Sequence, residues 1–172
     1  MALLVLSVVG SDRPGLTKAL AAAVLSAGGN WLESHLSRLG GLYVGSVLVE
    51  LEADRVDRLR SAVSSVDAHG LEVRIAPAVE DPGEGGEALQ LALVGQDRPG
   101  IVDQVSATLS GLHANIETFK TWISAEPHSG MPLFNMEARL RLPLKLDAAS
   151  VQGALEAISA EIMVDISLTP AH

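Results

Sequence analysis

The tetrapeptide Asp-Arg-Pro-Gly occurs twice in this chain, at residues 12–15 and 97–100, an offset of 85. The same offset pairs Gly10 with Gly95, Leu16 with Ile101, Leu25 with Ser110 and Asn30 with Asn115. Four consecutive identities with flanking matches at one spacing mark an internal repeat, and a repeat restricts the choice of fold more than the propensity of any single segment. Whatever one copy folds into, the other must also fold into. Toward the ends of the copies the offset grows to 93, matching Asp54 with Asp147, Val73 with Ile166 and Ile75 with Leu168. The growth predicts an insertion of eight residues, Ser124–Met131 (SAEPHSGM), where the first copy has only a Gly40-Gly41 turn.

Each copy parses in the same order. Leu3–Val9 and Ala88–Val94 are short apolar runs ended by glycine, as buried strands are. Pro14 and Pro99 stand at or near a helix start, where a missing N–H costs nothing. Leu16, Ala19, Leu20, Ala23, Val24 and Ala27 recur at helical spacing, as do Ile101, Val105, Leu109 and Leu112. Gly28-Gly29 suits a helix end with positive φ, and His113 takes that place in the second copy. Two strands follow, Asn30–Leu39 with Leu42–Leu51, and Asn115–Ile123 with Pro132–Leu142. In the last of these, Phe134, Met136, Ala138 and Leu140 alternate with Asn135, Glu137 and Arg139, the period of a half-buried antiparallel strand. Second helices are expected from Asp54 and Asp147, and closing strands at Leu71–Ile75 and Val164–Leu168.

Strand-helix-strand-strand-helix-strand is the split βαβ, or ferredoxin-like, order. The expected class is therefore α+β: two βαββαβ domains, each a four-stranded antiparallel sheet with two helices on one face. The boundaries read as residues 1–79, a linker at 80–87 within the acidic stretch VEDPGEGGE, and 88–172. A unit of about 80 residues is marginal alone, so the copies are expected to support each other.

The composition removes several function classes. There is no cysteine, so disulfides, thiolate metal sites and thiol nucleophiles are all excluded. The formal net charge is −9 with scattered basic residues, a poor match to a phosphate backbone, so direct nucleic-acid binding is not expected. No apolar run reaches the roughly 18 residues of a membrane span, and Met1–Gly10 lacks the features of a secretory signal. A soluble, cytoplasmic protein follows as the expectation. The five histidines have no metal-site spacing, and no Ser-His-Asp order or phosphate-binding glycine loop occurs, so neither metal, cofactor nor catalysis is expected.

The segments G-S-D-R-P-G-L (Gly10–Leu16) and G-Q-D-R-P-G-I (Gly95–Ile101), with Asn30 and Asn115 after each first helix, resemble the ACT domain, an amino-acid-sensing module. The second hairpin, with Glu126-Pro127 and Ser129-Gly130-Met131-Pro132-Leu133-Phe134, makes the tandem pair similar to the glycine cleavage system transcriptional repressor family. The resemblance implies a non-catalytic regulator that binds a small amino acid, with glycine the candidate, and acts through a partner that binds DNA. The alternative it leaves is an oligomerisation or regulatory subunit of an amino-acid-metabolism enzyme, without a ligand of its own.

The loop's own chemistry agrees. A strand-to-helix turn presents free backbone N–H groups and the positive end of the helix dipole, which suit a carboxylate. Gly15 and Gly100 would let a ligand come close. The candidate ligand residues are Gly10, Ser11, Asp12, Arg13, Pro14, Gly15 and Asn30 in the first copy. In the second they are Gly95, Gln96, Asp97, Arg98, Pro99, Gly100 and Asn115. By the resemblance, Asp12 or Asp97 receives an ammonium group and Asn30 or Asn115, placed beside the loop, helps to hold the carboxylate. A plainer reading makes Asp12 and Asp97 helix N-caps worth about 1 kcal/mol each, and the asparagines turn residues. Exposed edge strands make a homodimer the expected assembly.

Overall fold

The computed structural model describes residues 1–68, 70–79 and 85–171. They form two compact units, Met1–Asp81 and Pro82–His172, each with its own sheet and core. In the first, the elements are β1 (Ala2–Ser11), α1 (Leu16–Ser26), β2 (Asn30–Leu39), β3 (Leu42–Leu51), a 3-10 turn (Ala53–Arg55), α2 (Val56–Asp67) and β4 (Leu71–Pro77). In the second they are β5 (Ala88–Gln96), α3 (Ile101–Gly111), β6 (Asn115–Ala125), β7 (Pro132–Arg141), α4 (Ala148–Ile162) and β8 (Val164–Pro170). The sheets are antiparallel with orders β2-β3-β1-β4 and β6-β7-β5-β8, the ferredoxin-like arrangement predicted from the repeat.

Alternation decides what faces the core. Leu4, Leu6 and Val8 of β1 are buried, while of the residues alternating with them Leu3, Ser7 and Val9 are exposed and Val5 is half-buried. The buried set packs with Leu16, Leu20, Ala23 and Val24 of α1 and Leu59, Val63 and Val66 of α2. The second unit repeats this with Leu89, Leu91 and Leu93 under Ile101, Val105 and Leu109 of α3 and Val151, Leu155 and Ile162 of α4. Each fully buried Leu, Ile or Val contributes roughly 1.5–3 kcal/mol of transfer free energy. Both helices thus lie on one face of each sheet.

Helix ends follow the local residues. Gly28 has φ 77° and its N–H donates to the Leu25 carbonyl (2.9 Å), while Gly29 donates to Val24 (2.9 Å). This closes α1 with a Schellman motif. The same two bonds end α3, from His113 to Ser110 (3.0 Å) and from Ala114 to Leu109 (3.0 Å), with His113 held at φ 57°. Asp147 caps α4, its carboxylate accepting from Ser150 N at 2.8 Å. Its repeat partner Asp54 does not cap α2. It lies inside the 3-10 turn, and α2 starts at Val56.

The register also corrects the predicted insertion. Tyr43 pairs with Gly10 and Phe134 with Gly95, so the offset is already 91 in the third strands. Only six extra residues therefore belong to the hairpin, and the other two lie between β7 and α4. Of the expected linker, residues 80–84 lie outside the described residues. Gly86 donates to Leu142 O (2.7 Å) and Leu142 to Glu87 O (3.0 Å), so residues 86–87 run against the end of β7 as part of the second unit. His69 and His172 likewise lie outside the described residues.

A non-glycine residue at positive φ is strained by roughly 1–2 kcal/mol. Replacing His113 with glycine is expected to stabilise the protein by about 0.5–1 kcal/mol, and Gly28→Ala to destabilise it by about 1 kcal/mol. Urea titrations followed by circular dichroism read both.

Candidate functional site

Each Asp-Arg-Pro-Gly segment turns the end of the central strand into the first helix. The last residue of each turn is left-handed, Gly15 at φ 93° and Gly100 at φ 97°. A Cβ built on either would meet nothing within 4 Å, so glycine is needed there for its backbone angle, and the space above it is open. The helices begin one residue later, at Leu16 and Ile101. Gly15 and Gly100 are the N-cap residues, and no side chain caps either helix. Asp12 and Asp97 are therefore not the N-caps that the plainer reading expected. They stand three residues too early, and the positive-φ glycine carries the chain away from them. The first intrahelical bonds are Ala19 N to Gly15 O (2.9 Å) and Gln104 N to Gly100 O (3.0 Å), so the amides before Ala19 and Gln104 have no partner within the helix.

Two further contacts hold the loops. Asp12 N donates to Gly41 O (3.3 Å) and Asp97 N to Pro132 O (3.1 Å), setting each loop against the neighbouring hairpin. Arg98 donates through Nη2 to the carbonyl of Glu161 (2.5 Å), near the C-terminal end of α4. That carbonyl is one of the acceptors a helix end leaves unpaired, and the negative end of the helix dipole favours the guanidinium. Arg98 thereby positions the loop. Arg13 lies correspondingly close to Gly70, after α2.

The two loops differ in their surroundings. In the first unit the Asp12 carboxylate is ion-paired with Arg38, Oδ2 lying 3.2 Å from Nε, and Thr17 Oγ1 is hydrogen-bonded to the Tyr43 hydroxyl at 2.6 Å. Here the loop borders a groove of about 690 Å³ on its helix side, walled by Ala19, Ala22 and Ser26 of α1 and Ala62 and Ser65 of α2. In the second unit Ile123 and Phe134 hold the positions of Arg38 and Tyr43, and Val102 that of Thr17. An open surface groove of about 590 Å³ lies there on the hairpin side, lined by Asp97, Pro99, Val102, Asp103, Ser106 and Phe134. Among the described residues the side chains of Asp97 and Asp103 have no hydrogen-bond or ion-pair partner. Sequence reasoning singled out neither Arg38 nor Asp103, although the 85-residue offset aligns Arg38 with Ile123 and Lys18 with Asp103.

The asparagines are not brought to the loops. Asn30 pairs with Glu50, and Glu50 with Leu3, at the far end of β1 from Ser11. Eight residues of strand, about 25 Å at 3.3 Å per residue, separate Asn30 from the loop within its unit. Asn115 lies likewise, opposite Arg141 and in line with Ala88. The expectation that they stand beside the loop is corrected by the topology: the intervening helix runs antiparallel to the strand and returns the chain to the sheet's other end. Beside Asn115, a bulge in β6 presents Glu117 to Arg139 Nε (3.0 Å) and Arg141 Nε (2.8 Å). The hydrogen bond from Arg141, and after it that from Arg139, outweighs partial burial and holds the Glu117 carboxyl below its ordinary range. Gly10 and Gly95 sit within the strands. A Cβ would come 2.3 Å from Gly70 O and 2.5 Å from Met163 O, so close backbone packing against β4 and β8 accounts for both.

Residues 2–76 match the family model of the ACT domain. The first unit is an ACT domain. The second unit repeats the same topology, so the two ACT-like folds stand in tandem. No curated protein matches the chain significantly. Among solved structures, an unknown protein from Galdieria sulphuraria is 31% identical, with 99% of each chain covered and a TM-score of 0.88. A candidate glycine cleavage system transcriptional repressor is 16% identical over 98% of this chain and 96% of its own, with a TM-score of 0.69. That second likeness shows the tandem fold. No group of three or more His, Cys, Asp or Glu among the described residues is placed to hold a metal. No helix among them is long and apolar enough to cross a membrane.

The Glu117 carboxyl, its pKa lowered in the folded state, stabilises the second unit above the ordinary glutamate range, and that contribution is lost as pH falls through its folded pKa. Glu117→Gln is expected to cost at most about 1 kcal/mol near pH 7. The difference from wild type should shrink toward zero on acidification below the ordinary glutamate range, as read by urea midpoints across pH.

Proposed function

We propose that this chain is a non-catalytic regulatory protein that binds a small amino acid at its Asp-Arg-Pro-Gly loops and passes the signal to a protein partner. One observation supports this most: at each loop an aspartate precedes by four residues a helix start that no side chain caps. An α-amino acid carries the complementary pair of charges, an ammonium for the carboxylate and a carboxylate for the amides and the positive end of the helix dipole. The bare carbon of glycine, or a side chain as small as that of serine, suits the open space at Gly15 and Gly100.

The finer reading follows the fold-level likeness to the candidate glycine cleavage repressor. Glycine is then the first ligand to try, and the partner is a DNA-binding regulator of glycine cleavage metabolism. The net charge of −9 favours regulation through such a partner over direct contact with nucleic acid. A cytoplasmic location and a homodimer complete the proposal. The edge strands β2 and β6 are largely exposed, and Phe119 and Ile123 of β6 are 43% and 54% accessible, which suits pairing with another strand. Those same strands support the second reading, an oligomerisation module with no ligand of its own.

Calorimetry and thermal unfolding with glycine, serine and alanine separate the two readings. A ligand at 100 times its Kd is expected to stabilise the protein by about 2.7 kcal/mol, a rise of a few degrees in Tm. The heat should disappear when Asp12→Asn and Asp97→Asn are combined. No heat and no thermal shift up to millimolar amino acid would leave the oligomerisation reading. Capture of a DNA-binding regulator that does not depend on the amino acid would remove the sensing role.

A further inference from the structure

Strand β1 is apolar on both of its faces. Leu4, Leu6 and Val8 point into the core, and Leu3, Val5 and Val9 point to the other side of the sheet, away from the helices. Register sets Val5 against Leu48 and Val9 against Val44 of β3, so an apolar stripe runs along the two central strands. Only the small Ser7, opposite Ser46, interrupts it. At the positions of Val5, Val44 and Leu48 the second sheet has Gln90, Asn135 and Arg139, the polar residues that a solvated sheet face takes. Both sheets keep the same core alternation, so the fold itself does not require the stripe.

Charge is arranged around the stripe. On the edge strands, Glu33 of β2 is paired with His35 Nε2 (2.9 Å) and Glu72 of β4 with Arg74 Nε (3.1 Å). Glu33 stands opposite Leu48 and Glu72 opposite Val9, so both pairs share the stripe's side of the sheet. An apolar centre inside a polar rim is the anatomy of a protein interface. Each rim carboxylate already has its partner within the unit, so the face selects a neutral, apolar surface. Residues 1–79 hold seven Lys and Arg against eight Asp and Glu, while residues 80–172 hold five against thirteen. Two copies can meet through the first unit with little charge repulsion, whereas meeting through the second sets like charges together.

We propose that the helix-free face of the first sheet packs on the same face of a second copy, related by a two-fold axis. A copy of this chain brings an identical neutral stripe, the match that the face selects. Four strands spaced about 4.8 Å apart, seven to ten residues long at about 3.3 Å per residue, make a face of roughly 19 Å by 23–33 Å. With side-chain relief this is on the order of the 800 Å² per partner that a stable interface buries. This dimer rests on the homodimer reading, and differs from edge-strand pairing in the surface it uses.

Sedimentation velocity on the full chain reads the dimer. Val5→Lys with Leu48→Lys is expected to weaken it by at least about 100-fold, since charges enter an apolar contact from both copies. Phe119→Lys with Ile123→Lys, on the exposed edge β6, should leave it unchanged. Circular dichroism checks that each variant is folded. A second measurement leaves the stripe intact: a nitroxide on Ser37→Cys, at the rim, is mixed with ¹⁵N-labelled wild-type chain, which has no cysteine. Amide broadening in the labelled chain is expected in the strands of the first sheet and not at residues 115–125. A monomeric wild-type chain would overturn this interface and the homodimer reading together. A dimer that survives the face substitutions, that the edge substitutions break, or that broadens residues 115–125 alone, overturns the face and leaves the homodimer standing.

Discussion

The positive-φ glycine at the end of each Asp-Arg-Pro-Gly turn is the constraint on which the rest of each unit depends. A central strand must pass into a helix that lies back across the same sheet face, within four residues. Proline presets its own φ, and the next residue must then reverse the chain through a left-handed angle, which glycine adopts without a Cβ penalty. The first helix can then set Leu16 and Leu20, or Ile101 and Val105, onto the buried side of the central strand. The same turn leaves the first helical amides uncapped and sets an aspartate just before them. The requirement of the fold and the polarity of the candidate site have a single origin.

Around this shared turn the copies have diverged at the surface while keeping their cores. Every buried position of β1 has a buried counterpart in β5, because those side chains share a face with two helices and have no other place to go. The residues over the loop are free of that demand. Arg38 and Ile123, Lys18 and Asp103, and Tyr43 and Phe134 exchange charge or hydrogen bonding with no change in strand order or register. Divergence confined to one rim of a repeated scaffold makes the two units different in chemistry and alike in architecture. An ACT fold by itself carries no assignment of ligand.

Much of this was legible in the chain. Alternating apolar residues identified the strands, the 3.6-residue spacing identified the helices, and the doubled tetrapeptide aligned the two units. Where expectation and structure differ, the cause lies in geometry that residue types do not encode. Asp12 and Asp97 have the chemistry of N-caps, yet the left-handed glycine that follows makes itself the cap. Asp54 and Asp147 align in sequence, but only the second caps a helix, because a 3-10 turn precedes α2. Gly10 and Gly95 read as loop glycines. They are required by the backbones of β4 and β8, which come from 60 or more residues later in the chain.

The amino-acid sequence by itself determined the fold class, the repeat and the identity of the loop, since these follow from local periodicity and from residues adjacent in the chain. Only the tertiary structure decided which residues share a site. It moved Asn30 and Asn115 to the far end of the sheet and brought Arg38 onto Asp12 from across a hairpin. The physical reason is that a helix laid antiparallel on a strand reverses the chain's direction. Residues close in sequence are thereby sent to opposite ends of the sheet, and strand pairing brings distant ones together.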